Sequence, residues 1–343
     1  MAKKIIVTGN QGYIGPHLTR LLLEKGYEVV GIDNNYFNQD CWFFEPGHNF
    51  TQINKDVRNV DAADLEGAYA LCHLAALSND PMGNLFEQLT LDINHQASVN
   101  IAKLAKEVGV ERYIFSSSCS MYGVAGDSAL DESATQNPVT AYAKSKVYTE
   151  RDVLPLLTDD FSVTFLRNAT AYGVSPMLRT DLVVNDFVGA AFTSGKIVIK
   201  SDGSPWRPLV HCEDIARAFV AVIEADKDRI HGEAFNVGRN EDNYRVREVA
   251  EIVGNVVPNC EVIITNEFGA DTRNYRVNFD KITRQLPEFK PKWTVPTGVV
   301  ELYEAFKEHG LTADEVQSRK YVRLKQLHYL MDTKRIDKQL FFV

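Results

Sequence analysis

Short apolar runs of buried-strand type alternate with segments of helical period through the first half of the chain. A glycine-rich turn joins the first such run to the first helix, and a carboxylate, Asp33, closes the second run. Strands separated by helices imply parallel pairing through right-handed crossovers. Together these features predict an α/β fold: a doubly wound parallel sheet of Rossmann type, followed by a smaller C-terminal lobe.

Each element follows from local pattern. Lys4–Thr8 is a continuous apolar run, and Tyr13–Lys25 carries Ile14, Leu18, Leu21 and Leu22 at helical spacing. Glu28–Ile32 reads as the second strand and Asp33-Asn34-Asn35 as its turn. Further strands are predicted at Phe50–Asn54, Ala70–Leu74, Arg112–Ser116 and Ser162–Arg167, with long helices over Leu85–Glu107 and Ala141–Leu157. Beyond Tyr172 the rhythm loosens into turns, prolines and shorter helices, and Gly232–Gly238 reads as a strand returning to the main sheet. The expected organisation is a first domain over 1–172, completed by a returning segment near 205–238, then a lobe over 173–310 and a helical tail over 311–343. Within the tail, Tyr321, Leu324, Leu327 and Met331 recur at helical spacing, as in a helix packed on its own subunit.

Composition narrows the function classes. The 343 residues are 45% hydrophobic and 24% charged, enough to bury a large core. With 37 basic against 46 acidic residues the net charge is −9, and no basic tract offers a footprint for nucleic acid. No apolar run approaches the roughly 18 residues of a membrane span. The opening Met1–Gly9 reads as strand and turn rather than as a leader. Five scattered cysteines (Cys41, Cys72, Cys119, Cys212, Cys260) fit reduced thiols and a cytoplasmic location. The absence of C-x-x-C and H-x-x-x-H patterns argues against a metal site.

Three motifs carry chemistry. Thr8-Gly9-Asn10-Gln11-Gly12-Tyr13-Ile14-Gly15 lies between strand and helix, where glycines let the backbone approach a pyrophosphate that the helix N-terminus then stabilises. Asp33, 18 residues after Gly15, is placed to accept the ribose hydroxyls of an adenosine and to repel a 2′-phosphate, favouring NAD over NADP. In Tyr142-Ala-Lys-Ser-Lys146 a spacing of four sets phenol and ammonium on one helix face, so that the cation favours the phenolate. Phe115–Gly123, with Ser116, Ser117, Ser118 and Ser120, follows a strand at the sheet edge where ligands of such folds bind. Taken singly, each motif also has a plain structural reading as a turn, a helix face or a serine-rich loop.

In order and spacing, the combination resembles the extended short-chain dehydrogenase/reductases. Within them it is similar to the NAD-dependent nucleotide-sugar epimerase/dehydratase group, over residues 3–300. The resemblance implies that Gly9, Gly12, Tyr13, Ile14 and Gly15 cradle the pyrophosphate of NAD, that Asp33 and Asn34 hold the adenosine ribose, and that Asp56 and Val57 frame the adenine. It implies further that Leu74, Ala75 and Ala76 line the cofactor, supported by Asn94 and Ser116. Tyr142 is then the base, Lys146 its electrostatic partner and a ribose ligand, and Ser118 the catalytic hydroxyl. Trp206–Asp214 resembles the group's R-x-x-x-H-x-x-D element, so that Arg207, with Arg273, is expected to contact the diphosphate of a nucleotide-sugar, with Arg179 and Asn185 closing the pocket. His211 and Asp214 are expected to be structural. The aromatic cluster Tyr36, Phe37, Trp42, Phe43 and Phe44 either covers the adenine or packs its loop on the body. A homodimer is expected.

The departures from the group's pattern are informative. Its 4,6-dehydratases follow the catalytic hydroxyl with Asp-Glu, and its uronate decarboxylases keep the Glu. Here Cys119 and Ser120 stand in those places, and Thr170 stands where typical 4-epimerases carry Asn. Elimination and decarboxylation are therefore disfavoured. The leading reading is a 4-epimerase, followed by a net 4-dehydrogenase or ketoreductase on the same site, with a 4,6-dehydratase and a non-catalytic NAD sensor ranked behind them.

Overall fold

Seven runs with strand character pair into one parallel sheet because the central ones are apolar on both sides and can be buried only between two helical layers. The computed structural model describes residues 2–37, 39–47, 49–78, 86–267 and 273–343, without the side chains of residues 39 and 125–127. In chain order the strands are β1 (Lys4–Thr8), β2 (Glu28–Asp33), β3 (Thr51–Asn54), β4 (Ala70–His73), β5 (Arg112–Ser118), β6 (Val124–Leu130), β7 (Ser162–Asn168), β8 (Thr170–Tyr172), β9 (Lys196–Ile199), β10 (Trp206–His211), β11 (Ala234–Val237), β12 (Asn243–Arg245), β13 (Glu261–Ile264) and β14 (Asn274–Val277). The helices are α1 (Gly15–Glu24), α2 (Ala62–Leu65), α3 (Glu87–Leu91), α4 (Ala97–Glu107), α5 (Ala141–Val153), α6 (Val183–Ser194), α7 (Cys212–Glu224), α8 (Val246–Val256), α9 (Asp280–Gln285), α10 (Val295–His309), α11 (Ala313–Val316) and α12 (Arg323–Asp332).

The large sheet runs β11-β7-β5-β4-β1-β2-β3. β1 lies between β2 and β4, so the connections diverge there and open a crevice at the carboxyl ends of the strands. On one face Leu18 and Leu22 of α1 pack with Ile215, Phe219 and Val222 of α7. On the other, Ile101 and Ala105 of α4 and Val153 of α5 share a core with Leu327 and Leu330 of α12. Burying a side chain of this size contributes about 1.5–3 kcal/mol. A third core gathers Tyr172, Val188, Leu209, Val249, Val253, Leu302 and Phe306 around the small sheet β12-β10-β8.

The structure corrects several expectations. The first helix begins at Gly15, with Pro16 in its first turn, and leaves Tyr13 and Ile14 in the approach loop. Of the predicted helix over Leu85–Glu107, Leu85 lies outside the described residues, and the rest is α3, a π-turn over Asp92–Gln96, and α4. In that turn the Asn94 carbonyl accepts from Ser98 Oγ (2.7 Å) and from Thr149 Oγ1 (3.1 Å), hydroxyls that compete with the helical ladder. α5 ends at Val153, after which Leu154–Leu156 forms a 3₁₀ turn because Pro155 has no N–H to donate. β5 continues to Ser118, paired with Asn168 of β7. Of the segment expected to return near 205–238, only Ala234–Val237 joins the large sheet, whereas β10 pairs with β8 and β12. No helix among the described residues is long and apolar enough to cross a membrane.

His73 at the end of β4 is fully buried and bridges Thr8 Oγ1 (2.6 Å) and Ser98 Oγ (2.7 Å). Burial, aided by Lys146, lowers its pKa from 6.5 to about 3. The neutral ring therefore contributes stability that is complete above pH 6.5 and is lost as pH falls toward 3. In urea denaturation the stability gap between the parent and His73→Gln should narrow by about 2 kcal/mol between roughly pH 6.5 and 5. A gap independent of pH would show that the folded ring is not held neutral.

Candidate active site

β1 passes to α1 through the turn Gly9–Gly15. Gly9 has φ +73°, and a Cβ there would lie 2.6 Å from Ala75 N. At Gly15 it would lie 2.4 Å from Gly9 O, so the turn closes only with glycine at both places. Asn10 folds its side chain over Gly31 and donates to Gln52 Oε1 (2.7 Å), fastening the turn to β2 and β3. Asp33 accepts from Asn35 N (2.8 Å) and Gln11 N (3.1 Å), and burial raises its pKa.

A cavity of about 910 Å³ opens at the carboxyl edge of the sheet. Its wall brings together Gly9, Gly12, Tyr13, Ile14, Gly15, Asp33, Asn34 and Val57 at one end, with Leu74, Ala75 and Ala76 from the loop after β4. Ser116, Ser118, Tyr142 and Lys146 line it further along, and Arg179, Arg207 and Arg273 line it from the second lobe. Three expected site residues stand behind the wall instead. Asp56 gives its carboxylate to Arg58 (Nε and Nη2, both 2.8 Å) and caps the turn that carries Val57. Asn94 clamps the Leu77 backbone, accepting from its N–H (2.8 Å) and donating to its carbonyl (3.0 Å). Asn185 is fully buried, accepts from Gly173 N (3.0 Å), and donates to Tyr13 OH (3.0 Å) and to Arg179 O (2.8 Å). These three position their neighbours, because their polar atoms are already committed within the protein.

At the catalytic end Thr140 caps α5 by accepting from Ala143 N (3.2 Å), which sets the phase of the helix. Tyr142 and Lys146 then lie one turn apart, with the ammonium 5.5 Å from the phenol ring centre. Lys146 is buried and donates to Ser116 O (2.7 Å). Burial pushes its pKa down to about 7, against the pull of Glu150. An ammonium so stripped of water gains strongly from any anion formed beside it, and the Tyr142 oxygen is the acid on its own helix face. Ser118 closes β5 and accepts from Ser120 N (3.2 Å), while Cys119 turns away from the cavity to donate to Arg167 O (3.0 Å).

Other parts of the site left weaker traces in the sequence. Glu150, one turn beyond Lys146, accepts from Ser117 Oγ (2.6 Å) and from Arg167 Nη2 (2.7 Å). The signal for this pair was a charged residue inside the apolar β7 run. Asp186 lines the cavity, and burial with Asp181 beside it raises its carboxyl to about 6. Arg207 donates to Arg273 O, which joins two cations 66 positions apart. Of the aromatic cluster, Tyr36 and Phe37 line the cavity, whereas Phe43 packs against Phe306 and Tyr321 in the third core. His211 bonds Glu301 (2.8 Å), and Asp214 accepts from Lys292 N and Trp293 N, both structural roles.

The wall fits a dinucleotide. The glycine turn leaves room for a pyrophosphate, since a Cβ at Gly12 would meet only Gly9 O, at 3.1 Å. Asn168 Oδ1 and Ser120 Oγ, both of wall residues, are buried with no hydrogen-bond partner in the protein. The residue pattern of the NAD-dependent epimerase/dehydratase family matches residues 5–238. The chain belongs to this family. UDP-glucuronic acid decarboxylase 1 of Arabidopsis thaliana is 26% identical over 324 residues, covering 91% of this chain and 72% of that protein. The uncharacterised UDP-glucose epimerase YtcB of Bacillus subtilis (strain 168) is 25% identical over 309 residues, covering 86% of this chain and 95% of its own. The solved structure of MoeE5 with UDP-glucose and NAD superposes with a TM-score of 0.75 at 25% identity, covering 89% of this chain and 99% of that one. The protein is thus an enzyme of an NAD-dependent family whose members differ in the reaction they perform.

NAD should bind more tightly than NADP by about tenfold or more, because a 2′-phosphate would face the buried Asp33 carboxylate. Asp33→Ser should narrow the difference. Equal affinities for the two cofactors in the parent, measured by calorimetry, would remove this role from Asp33.

Proposed function

We propose that the enzyme acts on a nucleotide-diphosphate sugar as a 4-epimerase. The observation that carries this reading is the wall trio Ser118, Tyr142 and Lys146 beside the glycine cradle, followed by Cys119 and Ser120 rather than carboxylates. Removing a C5 proton or assisting loss of CO₂ calls for an acid or base next to the hydroxyl residue. The Cys119 thiol is buried, and that burial pushes its pKa well above the ordinary value, while Ser120 offers only a hydroxyl. Oxidation and reduction at C4 needs less. Ser118 holds the C4 oxygen, Tyr142 takes its proton, and the charge of Lys146 stabilises the phenolate that waits to receive it. NAD, held by the glycine cradle, would supply the acceptor and donor for the C4 hydride. The same Tyr142 gives back the proton after the keto-sugar has turned in the cavity.

The second lobe supplies what holds the sugar. Arg207 and Arg273 suit the diphosphate through charge-assisted hydrogen bonds. Thr170 on the cavity wall, where 4-epimerases of the group carry Asn, supports a second reading in which the keto-sugar is held in one pose and the net reaction is a 4-oxidation or ketoreduction. Incubating nucleotide-sugars with catalytic NAD separates the two. A 4-epimer formed without accumulation of NADH supports epimerisation, and product formed only with stoichiometric cofactor supports net redox.

Tyr142→Phe should keep the fold and reduce turnover by about 10²–10⁴-fold, the usual worth of a general acid–base group. Turnover within a few-fold of the parent would take the proton transfer away from Tyr142. Arg207→Ala or Arg273→Ala should weaken nucleotide-sugar binding by roughly ten- to a hundredfold and leave NAD affinity unchanged. Calorimetric titration of both ligands decides this, with unchanged sugar-nucleotide affinity as the contrary result.

A further inference from the structure

The family pattern ends at residue 238, yet a cation from much later in the chain reaches the cavity. After α10 the chain passes through Val316 and Tyr321 in the third core and then into α12, whose Leu327 and Leu330 pack on a face of the large sheet. Arg323 is the first residue of α12 and is 2% exposed. Nη2 donates to Met177 O (2.9 Å), and the guanidinium lies 4.0 Å from the centre of the Phe37 ring. The other terminal nitrogen, Nη1, is buried with no hydrogen-bond partner in the protein. An orphaned donor on a buried charge is costly unless an anion meets it.

Arg323 is a residue of the cavity wall, and its charged neighbours lie along that wall. Arg323 interacts with Asp33, at the adenosine end, and with Arg179 and Asp181. Arg179 in turn interacts with Tyr142, at the catalytic end. The guanidinium lines the cavity within charge range of the adenosine end and, through Arg179, of the catalytic end, and the anionic part of a dinucleotide in that cavity is its pyrophosphate. Burial and Arg179 lower its pKa to about 10, which leaves it charged at neutral pH. The tail that carries it is tied to the same end of the site. Gln326 Nε2 donates to Tyr36 O (3.0 Å), Tyr36 OH donates to Leu340 O, and Arg58 Nη1 donates to Gln339 O (2.6 Å).

We propose that Arg323 is a cofactor-binding residue whose Nη1 donates to the pyrophosphate of NAD, so that the C-terminal tail contributes a cofactor contact from outside the family-matched segment. The proposal rests on NAD occupying the cavity, which titration of the parent protein checks separately. In Arg323→Met, affinity for NAD and for ADP should fall by about ten- to a hundredfold, the range for a hydrogen bond to a charged group. Affinity for adenosine, which has no phosphate, should be unchanged. Arg323→Lys keeps the charge with a different donor geometry and should recover part of the loss. Should Arg323→Met fail to fold, the ratio of NAD to adenosine affinity in Arg323→Lys carries the test: a lowered ratio supports the proposal, and an unchanged one overturns it. Unchanged NAD affinity in Arg323→Met, an equal loss for NAD and adenosine, or a loss confined to NADP would each overturn it.

Discussion

The catalytic end hangs on one buried ion pair. Arg167 of β7 and Glu150 of α5 meet at 2.7 Å with both side chains almost wholly out of water. Glu150 also holds Ser117 of β5, while Arg167 reaches Tyr122 OH (3.1 Å) and Glu132 O (2.9 Å). Leaving one charge of such a pair alone would cost about 3–5 kcal/mol. The strand that ends in Ser118 and the helix that carries Tyr142 and Lys146 are thereby held in one relative position. On the proposed reading, proton transfer needs this relative position as well as the identity of the trio.

A second constraint is electrostatic. The chain carries −9 overall, yet Arg179, Arg207, Arg273 and Arg323 all face one cavity. Contacts within the protein help to sustain this concentration of cations. Arg179 pairs with Asp181 (2.9 Å) and donates to Ser78 Oγ (3.1 Å), Arg207 bonds main-chain carbonyls, and Arg323 lies on Met177 O and the Phe37 face. The acids that share the wall, Asp33, Asp181 and Asp186, keep the site from being a featureless anion trap.

Membership of a family whose relatives are named as decarboxylases and epimerases puts the weight of the functional reading on few atoms. What distinguishes this site is the short stretch after Ser118. Cys119, in the 3₁₀ turn after β5, is buried and bonded to Arg167 O, and the Ser120 hydroxyl is buried with no hydrogen-bond partner in the protein. On the proposed reading, the two side chains of the turn after β5 bear on which protons can be moved.

The parts of the site that were legible in the sequence are those governed by local geometry. Tyr142 and Lys146 share a face because four residues make about one helical turn, and Asp33 ends its strand because the apolar run stops there. The glycine turn could be read because only glycine tolerates the close backbone approach that Gly9 and Gly15 require. The strand order of the large sheet, the π-turn at Asp92–Gln96 and the separate pairing of β10 were not legible, since each depends on which distant segment supplies a partner. The same holds for Asp56, Asn94 and Asn185, whose residue types suit ligand contacts but whose polar atoms are taken by Arg58, Leu77 and Gly173. Arg323 is the converse case, an ordinary surface-type residue in the sequence that only the folding of the tail across two cores delivers to the cavity. The covalent period of the backbone sets which neighbours along a helix or strand share a face. Which side chains meet across long loops is decided by packing, and so by the tertiary structure alone.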